Sequence, residues 1–338
     1  MKNKKGIIFG LILAVVVLAF YIKEKNKEVR TSQIKVVKEE NKKLKLGVLQ
    51  LLSHPALDEI YRGLIEELAR QGYKNGENLE IDFQNAQGDQ SNLAAMSEKI
   101  VENRNDIIVG ITTPATLSLA NVTKEIPIVM GGITYPVEAG IIEEENRPGN
   151  NITGISDRTP IKEQLELMRE ILPDLKKLGV LYTSSEDNSV KQVEEVKKAA
   201  DELKLNLKIA SVSSTNDVQQ VTESLASEVE AIFIPIDNTI ASTMQTVVKV
   251  ADEFKVGVFP SADTMVADGG VLGLGVDQYQ IGVKTAEVVI EIINGANPAE
   301  TPIRLANQGI IYLNENKAEN LGIKIPANIK EKAKIIGK

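Results

Sequence analysis

Residues 44–73 read LKLGVLQLLSHPALDEIYRGLIEELARQGY, and their pattern is that of one strand–turn–helix unit. Lys45–Leu52 has the composition and length of a buried strand, and the polar turn Ser53-His54-Pro55 ends it. In Ala56–Gln71, apolar residues recur at the three- and four-residue spacing of an amphipathic helix, and Gly72 is a typical residue to end it. A strand, a tight turn and a helix N-terminus leave backbone N–H groups unbonded, so we expect a ligand to bind near this turn.

The chain repeats this strand–helix unit as far as residue 294. Apolar runs such as Asp106–Ile111 and Ala231–Pro235 alternate with helical patterns such as Gln90–Asn103 and Ser189–Leu203. Such alternation is typical of parallel sheets that helices cover on both faces. Because the alternation occurs twice, we predict an α/β fold of two Rossmann-like lobes, each a parallel sheet flanked by helices, preceded by an N-terminal hydrophobic helix.

Segments rich in glycine, proline and asparagine are predicted to connect the two lobes. There are three of them: Glu143–Arg158, Ala267–Val276 and Ala296–Arg304. Three connections are typical of a hinged pair of lobes that closes on a ligand. The predicted boundaries are residues 44–155 plus 272–297 for lobe 1 and residues 156–271 plus 298–338 for lobe 2.

The N-terminus has the layout of an export signal. Lys2, Lys4 and Lys5 precede the uncharged run GIIFGLILAVVVLAFYI, and basic residues follow it. The run is at the lower limit of what spans a bilayer. We predict an uncleaved signal anchor over residues 1–22, with cleavage as the alternative, and a polar tether over residues 23–43. The early lysines favour an N-terminus inside the cell membrane and a body outside the cytoplasm.

The composition excludes several classes of function. The chain contains no cysteine and a single histidine, His54, which excludes cysteine chemistry and a zinc site built from several histidines. Its net charge is −8 although its N-terminus is basic, so the body is acidic and unsuited to nucleic acid. No dinucleotide fingerprint, phosphate-binding loop or catalytic carboxylate pair occurs. We expect no catalysis, no cofactor and no metal.

In parallel sheets, ligands bind beyond the carboxyl ends of the strands. Six turn segments follow such ends: residues 50–55, 112–114 and 132–136 in lobe 1, and residues 183–189, 237–239 and 261–263 in lobe 2. Their polar side chains are the candidate ligand-binding residues: Gln50, Ser53, His54, Thr112, Thr113, Thr134, Tyr135, Glu186, Asn188, Asp237, Asn238, Ser261 and Asp263.

Several of these residues also fit a purely structural role. Thr113 suits an N-cap and Pro114 the first helical position, so this turn caps a helix whether or not a ligand binds there. Glu186 and Asp237 precede helices as well, where a carboxylate either caps the helix or pairs with a ligand cation. His54 either contacts the ligand or shapes the turn.

The order of eight short motifs resembles a known family. The motifs are HPALDEIYRG, NAQGD, TTPAT, PVEAG, RPGNNITGISD, LGVLYTSSEDNS, IFIPIDN and the late pair YLN and LGIKIP. From about Leu44 to Pro326, this order resembles the extracytoplasmic solute-binding proteins of ABC transporters, in the group associated with tryptophan, tyrosine and related amino acids.

The resemblance implies a type I periplasmic-binding-protein-like body that performs no chemistry. It also implies an amino acid as ligand, with an aromatic one as an option, and delivery to an ABC permease with its cytoplasmic ATPase. For such a zwitterion, Ser53, Thr113 and Thr134 are the expected partners of the carboxylate. Glu186 or Asp237 is the expected partner of the ammonium group.

Two features depart from the family pattern. Relatives are usually held at the membrane by a lipid-modified cysteine, which this chain lacks, so the apolar N-terminal segment would replace it. Relatives also tend to have an aspartate where this chain has Tyr135, just before the PVEAG motif. A tyrosine at this position is a candidate to stack on a ligand ring.

The predicted function is therefore that of a membrane-anchored solute-binding protein of an ABC transporter, which captures a small ligand in the cleft between its lobes. The alternative is a membrane-tethered ligand sensor of the same fold that acts on a signalling partner in the membrane. Docking surfaces leave no sequence motif, so the sequence alone does not separate the two.

Overall fold

The computed structural model describes residues 43–306 and 309–337. The predicted signal anchor over residues 1–22 and the predicted tether, apart from Lys43, lie outside these described residues. Within them, we find no helix with both the length and the apolar character needed to cross a membrane.

The described residues form an alternating series of strands and helices. The strands are β1 (Leu44–Gln50), β2 (Leu79–Asn85), β3 (Ile107–Ile111), β4 (Ile128–Gly131), β5 (Ile152–Ser156), β6 (Lys177–Thr183), β7 (Asn206–Val212), β8 (Ala231–Ile234), β9 (Gly257–Pro260), β10 (Leu272–Gly275), β11 (Arg304–Leu305), β12 (Ile310–Leu313) and β13 (Lys334–Ile335). The α-helices are α1 (Pro55–Arg70), α2 (Gln90–Glu102), α3 (Thr113–Val122), α4 (Ile161–Ile171), α5 (Asp187–Leu203), α6 (Val218–Ala226), α7 (Asn238–Ser242), α8 (Met244–Glu253), α9 (Asp263–Ala267), α10 (Gln278–Ile293), α11 (Glu315–Asn320) and α12 (Ala327–Lys330).

Two parallel sheets organise these elements. Six strands form the first sheet in the order β11-β5-β4-β3-β1-β2, and four form the second in the order β7-β6-β8-β9. A third, smaller sheet has the order β10-β12-β13, in which β10 and β12 run antiparallel. We call the first sheet with its packed helices lobe 1, and the second and third sheets with theirs lobe 2. The prediction of an α/β fold with parallel sheets flanked by helices is confirmed.

Each lobe has its own apolar core. The strands Ile107–Ile111 and Ile128–Gly131 at the centre of lobe 1 are buried along their whole length because helices cover both faces of the sheet. Residues of α1, α3 and α10 complete that core. In lobe 2, two buried clusters lie on either side of the second sheet.

Strand pairing corrects the predicted lobe boundaries at two strands. The strand β10 was predicted in lobe 1 but pairs with β12 in lobe 2, and β11 was predicted in lobe 2 but pairs with β5 in lobe 1. The chain therefore passes between the lobes after β5, after β10 and after β11. Pairing across a sheet is a non-local property, which glycine and proline density does not report.

The strand β5 lies inside the segment that was predicted to be the first connection. Its glycine, Gly154, suggested a loop, but in the structure this glycine lies within the strand for a packing reason. A Cβ at Gly154 would overlap the backbone of Met130 in β4, so the glycine permits a close approach of two strands.

The helices α1 and α10 pack backbone against backbone. A Cβ at Gly63 would overlap the carbonyl oxygen of Tyr279, and a Cβ at Gly282 would overlap that of Ile60. The contact holds α10, which follows lobe 2 in the chain, on the sheet of lobe 1. The two glycines therefore set the separation of the two helices.

We predict that Gly63→Ala and Gly282→Ala each lower the free energy of unfolding by about 1–3 kcal/mol, because the added methyl group meets backbone that has no room to move. Urea unfolding followed by circular dichroism measures the change. Ala69→Ser, at an exposed position of α1, is the control, and its free energy of unfolding should stay within about 0.5 kcal/mol of the wild-type value. Glycine variants as stable as the wild type would contradict the close packing.

Candidate functional site

A cavity of about 30 Å³ lies between the two lobes. Each of the six turn segments predicted to follow the strand ends contributes at least one residue to its wall. The lining residues are His54, Ala56, Leu57, Ile60, Thr112, Thr113, Gly132, Thr134, Asp157, Asn188, Ile236, Asp237, Asn238, Ala241, Ala262, Met265 and Gln278. Strand ends from both lobes therefore meet at one place, as expected for parallel sheets.

Seven of the predicted ligand-binding residues line this cavity. They are His54, Thr112, Thr113, Thr134, Asn188, Asp237 and Asn238. Whether they bind a ligand stays a prediction at this point. The other six, Gln50, Ser53, Tyr135, Glu186, Ser261 and Asp263, do not line it, and most of their polar atoms bond within the protein.

Gln50 and Ser53 hold the turn between β1 and α1. The Gln50 Nε2 group donates a hydrogen bond to Asp58 Oδ1 (2.8 Å), and the exposed Ser53 hydroxyl donates one to Asp58 Oδ2 (2.7 Å). The predicted role of Ser53 as a partner of a ligand carboxylate is therefore corrected. Its hydroxyl orients the first turn of α1 instead.

Both oxygens of the Glu186 carboxylate accept hydrogen bonds within lobe 2. Its Oε2 accepts hydrogen bonds from the backbone and side-chain nitrogens of Asn238 (3.0 and 2.6 Å), and its Oε1 accepts from the backbone and hydroxyl of Thr239 (2.9 and 2.8 Å). These are the first residues of α7, where a carboxylate stabilises the free N–H groups. Capping, one of the two roles that the sequence left open for Glu186, is the role that these contacts describe.

Asp237 borders the cavity but also caps α7. Its Oδ1 accepts from Ile240 N (2.9 Å) and the Thr183 hydroxyl (2.8 Å), and its Oδ2 accepts from Thr183 N (2.6 Å). Burial, together with the negative charge of Glu186, raises the pKa of the Asp237 carboxyl. Capping, one of the two roles that the sequence left open, is the role that these contacts describe.

The remaining three residues are structural as well. Ser261 Oγ lies within hydrogen-bond distance of Ile234 O (3.1 Å) and Gln164 Oε1 (3.2 Å), and Asp263 Oδ1 accepts from Thr264 N (2.8 Å). Tyr135 is buried away from the cavity, so it is not placed to stack on a ligand there. Burial, together with the nearby Glu195 carboxylate, raises the pKa of its hydroxyl.

The N-terminus of α3 reaches the cavity through a strained residue. Thr112, rather than Thr113, is the N-cap, and its side chain accepts a hydrogen bond from Ala115 N (3.5 Å). Thr112 has φ 91° and ψ 159°, a region that residues with a Cβ rarely adopt. The prediction of Thr113 as the N-cap is therefore wrong by one residue, and Thr113 is the first helical residue at the cavity wall.

His54 is the N-cap residue of α1 and is buried in the cavity wall. Neither ring nitrogen makes a hydrogen bond. Burial lowers the pKa of the imidazole to about 4, although the nearby Asn238 and Asp58 oppose the shift. The ring is therefore neutral at pH 7 and presents one donor and one acceptor to the cavity.

Asp157 is a lining residue that the sequence analysis did not select. It is buried, its Oδ1 has no hydrogen-bond partner, and burial raises the pKa of its carboxyl to about 6. Asp157 directly follows β5, and it was missed because that strand was interpreted as part of a connection. Had β5 been assigned as a strand, Asp157 would have been selected as a polar residue just beyond its end.

Asn188 adds a second buried oxygen without a partner. Its Nδ2 group donates to Ile236 O (2.8 Å), which orients the amide and leaves Oδ1 unbonded. Apolar residues such as Leu57, Ile60 and Met265 complete the wall. These were missed because an apolar residue on the inner face of a helix has the same sequence pattern whether it faces the core or a cavity.

At about 30 Å³, the cavity is small. Small-molecule sites are typically at least ten times larger. The walls must therefore move apart before a ligand of several heavy atoms enters. Among the described residues, no cluster of acidic residues and histidine is suited to hold a metal ion.

The sequence matches a protein family over residues 45–336, and the family is described as ABC transporter substrate binding protein. A relative named tyrosine-binding protein, from Clostridioides difficile strain R20291, is 36% identical over 285 residues. This alignment covers 84% of this chain and 83% of the relative.

Two solved structures are similar to the whole described body. One is an ABC domain in complex with L-Trp from Streptococcus pneumoniae, with a TM-score of 0.84, 42% identity and coverage of 87% of this chain and 99% of that chain. The other is a ligand-free, open structure of a substrate-binding protein with adhesive properties from Clostridium difficile. It has a TM-score of 0.68, 33% identity and the same coverage of both chains.

We predict that the His54 ring titrates with a midpoint near 4 in the folded protein, because burial disfavours the imidazolium ion. The chain has a single histidine, so in tag-free protein one ring C–H signal in the NMR spectrum reports it unambiguously. The same signal in urea is the control and should titrate near 6.5. A midpoint near 6.5 in the folded protein would show that the ring is exposed.

The same shift has a consequence for stability. The folded state binds the His54 proton less tightly than the unfolded state does, so this residue destabilises the fold as the pH falls from about 6.5 to about 4.

Proposed function

The chain belongs to the ABC transporter substrate-binding protein family, and on this basis we propose that it captures an aromatic α-amino acid between its two lobes. As a solute-binding protein of an ABC transporter, it has a permease as the partner that its family implies. Membership of this family favours transport over the membrane sensor considered as the alternative. It is also a family of binding proteins rather than of enzymes.

The observation that carries the proposal is the cavity that strand ends of both lobes line. Its wall contains buried polar atoms without partners, on His54, Asp157 and Asn188. Burying such atoms costs free energy unless a partner satisfies them. At one end, an α-amino acid carries an ammonium group, which donates hydrogen bonds, and a carboxylate, which accepts them. These groups can pair with the unsatisfied atoms of the wall.

We assign the ligand carboxylate to the side of the cavity formed by lobe 1. Thr113 lies at the N-terminus of α3, and Thr134 lies in the turn after β4. A hydroxyl group and the positive end of a helix both favour a carboxylate. Thr113 keeps the role expected from the sequence and Ser53 loses it, whereas the Thr134 hydroxyl already donates to the neighbouring Asp157 carboxyl.

An aromatic side chain is supported by the relatives and by the apolar wall. One relative is named for tyrosine, and one similar structure contains L-Trp. The cavity wall supplies Leu57, Ile60, Ile236 and Met265 as apolar contacts. Since the chain has no tryptophan, such residues rather than an indole ring would hold the ligand ring.

We further propose that the N-terminal segment anchors this body outside the cytoplasm. The family is that of extracytoplasmic binding proteins, and the chain has no cysteine to carry a lipid. The apolar run in residues 6–22, with lysines before it, supports an uncleaved anchor with the N-terminus inside.

We predict that the protein without residues 1–42 shifts the fluorescence of added L-tryptophan to shorter wavelengths as the ligand enters an apolar site. The chain contains no tryptophan, so with selective excitation the signal comes from the ligand alone. D-Tryptophan is the control, and the other standard amino acids are compared by competition and by the rise in melting temperature. No shift, competition or thermal stabilisation with any of them would contradict the proposed function.

We predict that Thr113→Val weakens binding of the preferred amino acid by roughly tenfold, because one hydrogen bond to a charged group is lost while the side-chain shape is kept. Calorimetric titration measures the change. Thr222→Val is the matched control, since Thr222 is buried but its hydroxyl donates to Val218 O within α6. Equal effects of the two variants would argue against a contact between Thr113 and the ligand.

We predict that the mature protein keeps residues 1–22 and sediments with the membrane fraction. Intact-mass spectrometry of the protein from its own membrane should give the full chain, about 36.9 kDa. A variant that lacks residues 1–22 provides the control and should leave the membrane fraction. A mature N-terminus beyond the apolar run would reject the uncleaved anchor.

A further inference from the structure

Within the described part of the chain, two carboxylates line the cavity, and one of them has an oxygen without a hydrogen-bond partner. Both oxygens of Asp237 accept hydrogen bonds from Thr183, and one of them also caps α7. The Oδ1 atom of Asp157 has no hydrogen-bond partner. A ligand cation in this cavity therefore finds one unsatisfied carboxylate, that of Asp157.

Asp157 also lies where the chain leaves lobe 1. Its backbone N–H donates to Ile133 O (3.3 Å) in lobe 1, and its Oδ2 lies beside Gly132 of the same lobe. Two residues later, the Thr159 hydroxyl accepts a hydrogen bond from Gln192 Nε2 (3.0 Å) in α5 of lobe 2. Asp157 therefore lies between a hydrogen bond that fixes the chain to lobe 1 and one that fixes it to lobe 2.

Closing the lobes over this carboxylate removes it from water. An ionised carboxylate with an unpaired oxygen is costly to bury, and burial accordingly raises the pKa of Asp157 to about 6. The hydroxyl of Thr134 opposes the shift only in part. A positively charged partner removes this cost, and none of the lysines and arginines that the structure describes lines the cavity to supply it.

We propose that Asp157 binds the protonated amine of the ligand and that this contact allows the two lobes to close around it. This inference rests on the proposed function, since it assigns the ammonium end of the amino acid. It replaces Glu186 and Asp237, whose carboxylates cap a helix. The site therefore favours ligands that carry a protonated amine, and an analogue without the amine leaves Asp157 buried and unpaired.

The test compares two ligands on two forms of the full-length chain in detergent. L-Tryptophan and indole-3-propionate share the ring and the carboxylate, and only the first carries the amine. The wild type should bind L-tryptophan at least about 100-fold more tightly than indole-3-propionate, and Asp157→Asn should reduce this ratio below about tenfold. The same comparison with L-tyrosine and 3-(4-hydroxyphenyl)propionate covers a tyrosine-selective site.

Asp263→Asn is the matched control. Asp263 is also a largely buried carboxyl, whose pKa burial and the neighbouring Asp277 raise to about 7, but it does not line the cavity. Its variant should keep the wild-type ratio. Asp157→Asn should melt no lower than the wild type, since it removes a charge that burial disfavours, and Asp157→Ser is a second neutral variant if the first does not fold.

Each other outcome overturns a defined statement. If Asp157→Asn keeps the wild-type ratio, or if Asp263→Asn loses it equally, Asp157 is not the partner of the amine. If the wild type binds neither L-tryptophan nor L-tyrosine, the proposed function fails and this inference fails with it. Tight binding of the amino acids with an unchanged ratio in Asp157→Asn overturns this inference alone.

Discussion

The backbone contact between α1 and α10 sets the packing of lobe 1, on which the wall of the cavity depends. At Gly63 and Gly282 the helices touch through their backbones, because a side chain on either glycine would overlap the opposite chain. Close helix contact of this kind holds the segment that follows lobe 2 firmly on lobe 1. The N-terminal ends of both helices, at His54 and Gln278, lie in the cavity wall. The packing of lobe 1 and the shape of the site therefore depend on the same two glycines.

The buried acids of the cleft divide into two kinds according to what neutralises them. Glu186 and Asp237 are surrounded by N–H and O–H donors at the start of α7, so their charge is compensated inside lobe 2. Asp157 lacks such donors on one oxygen. A satisfied carboxylate shapes the wall, whereas an unsatisfied one has interaction energy left for a ligand.

Because the cavity is small, the lobes must separate before a ligand enters, and the unsatisfied carboxylate bears on this separation. Atoms that are buried and unpaired in the closed arrangement are hydrated when the lobes separate, so they favour opening until a ligand pairs with them. The structure has a TM-score of 0.84 to the one in complex with L-Trp and of 0.68 to the open, ligand-free one. Three chain connections between the lobes allow such a motion without disturbing either core.

The α/β class, the alternation of strands and helices and the six turns that meet at the cavity were predictable from the sequence. These features follow from local periodicity and from the direction of parallel strands. The tertiary structure decided the sheet to which β10 and β11 belong, the presence of β5, and the shift of the N-cap from Thr113 to Thr112. It also decided that Glu186 is a cap and that Asp157 is unsatisfied. Strand pairing and hydrogen-bond satisfaction join residues far apart in the chain, so a local pattern in the sequence carries no record of them.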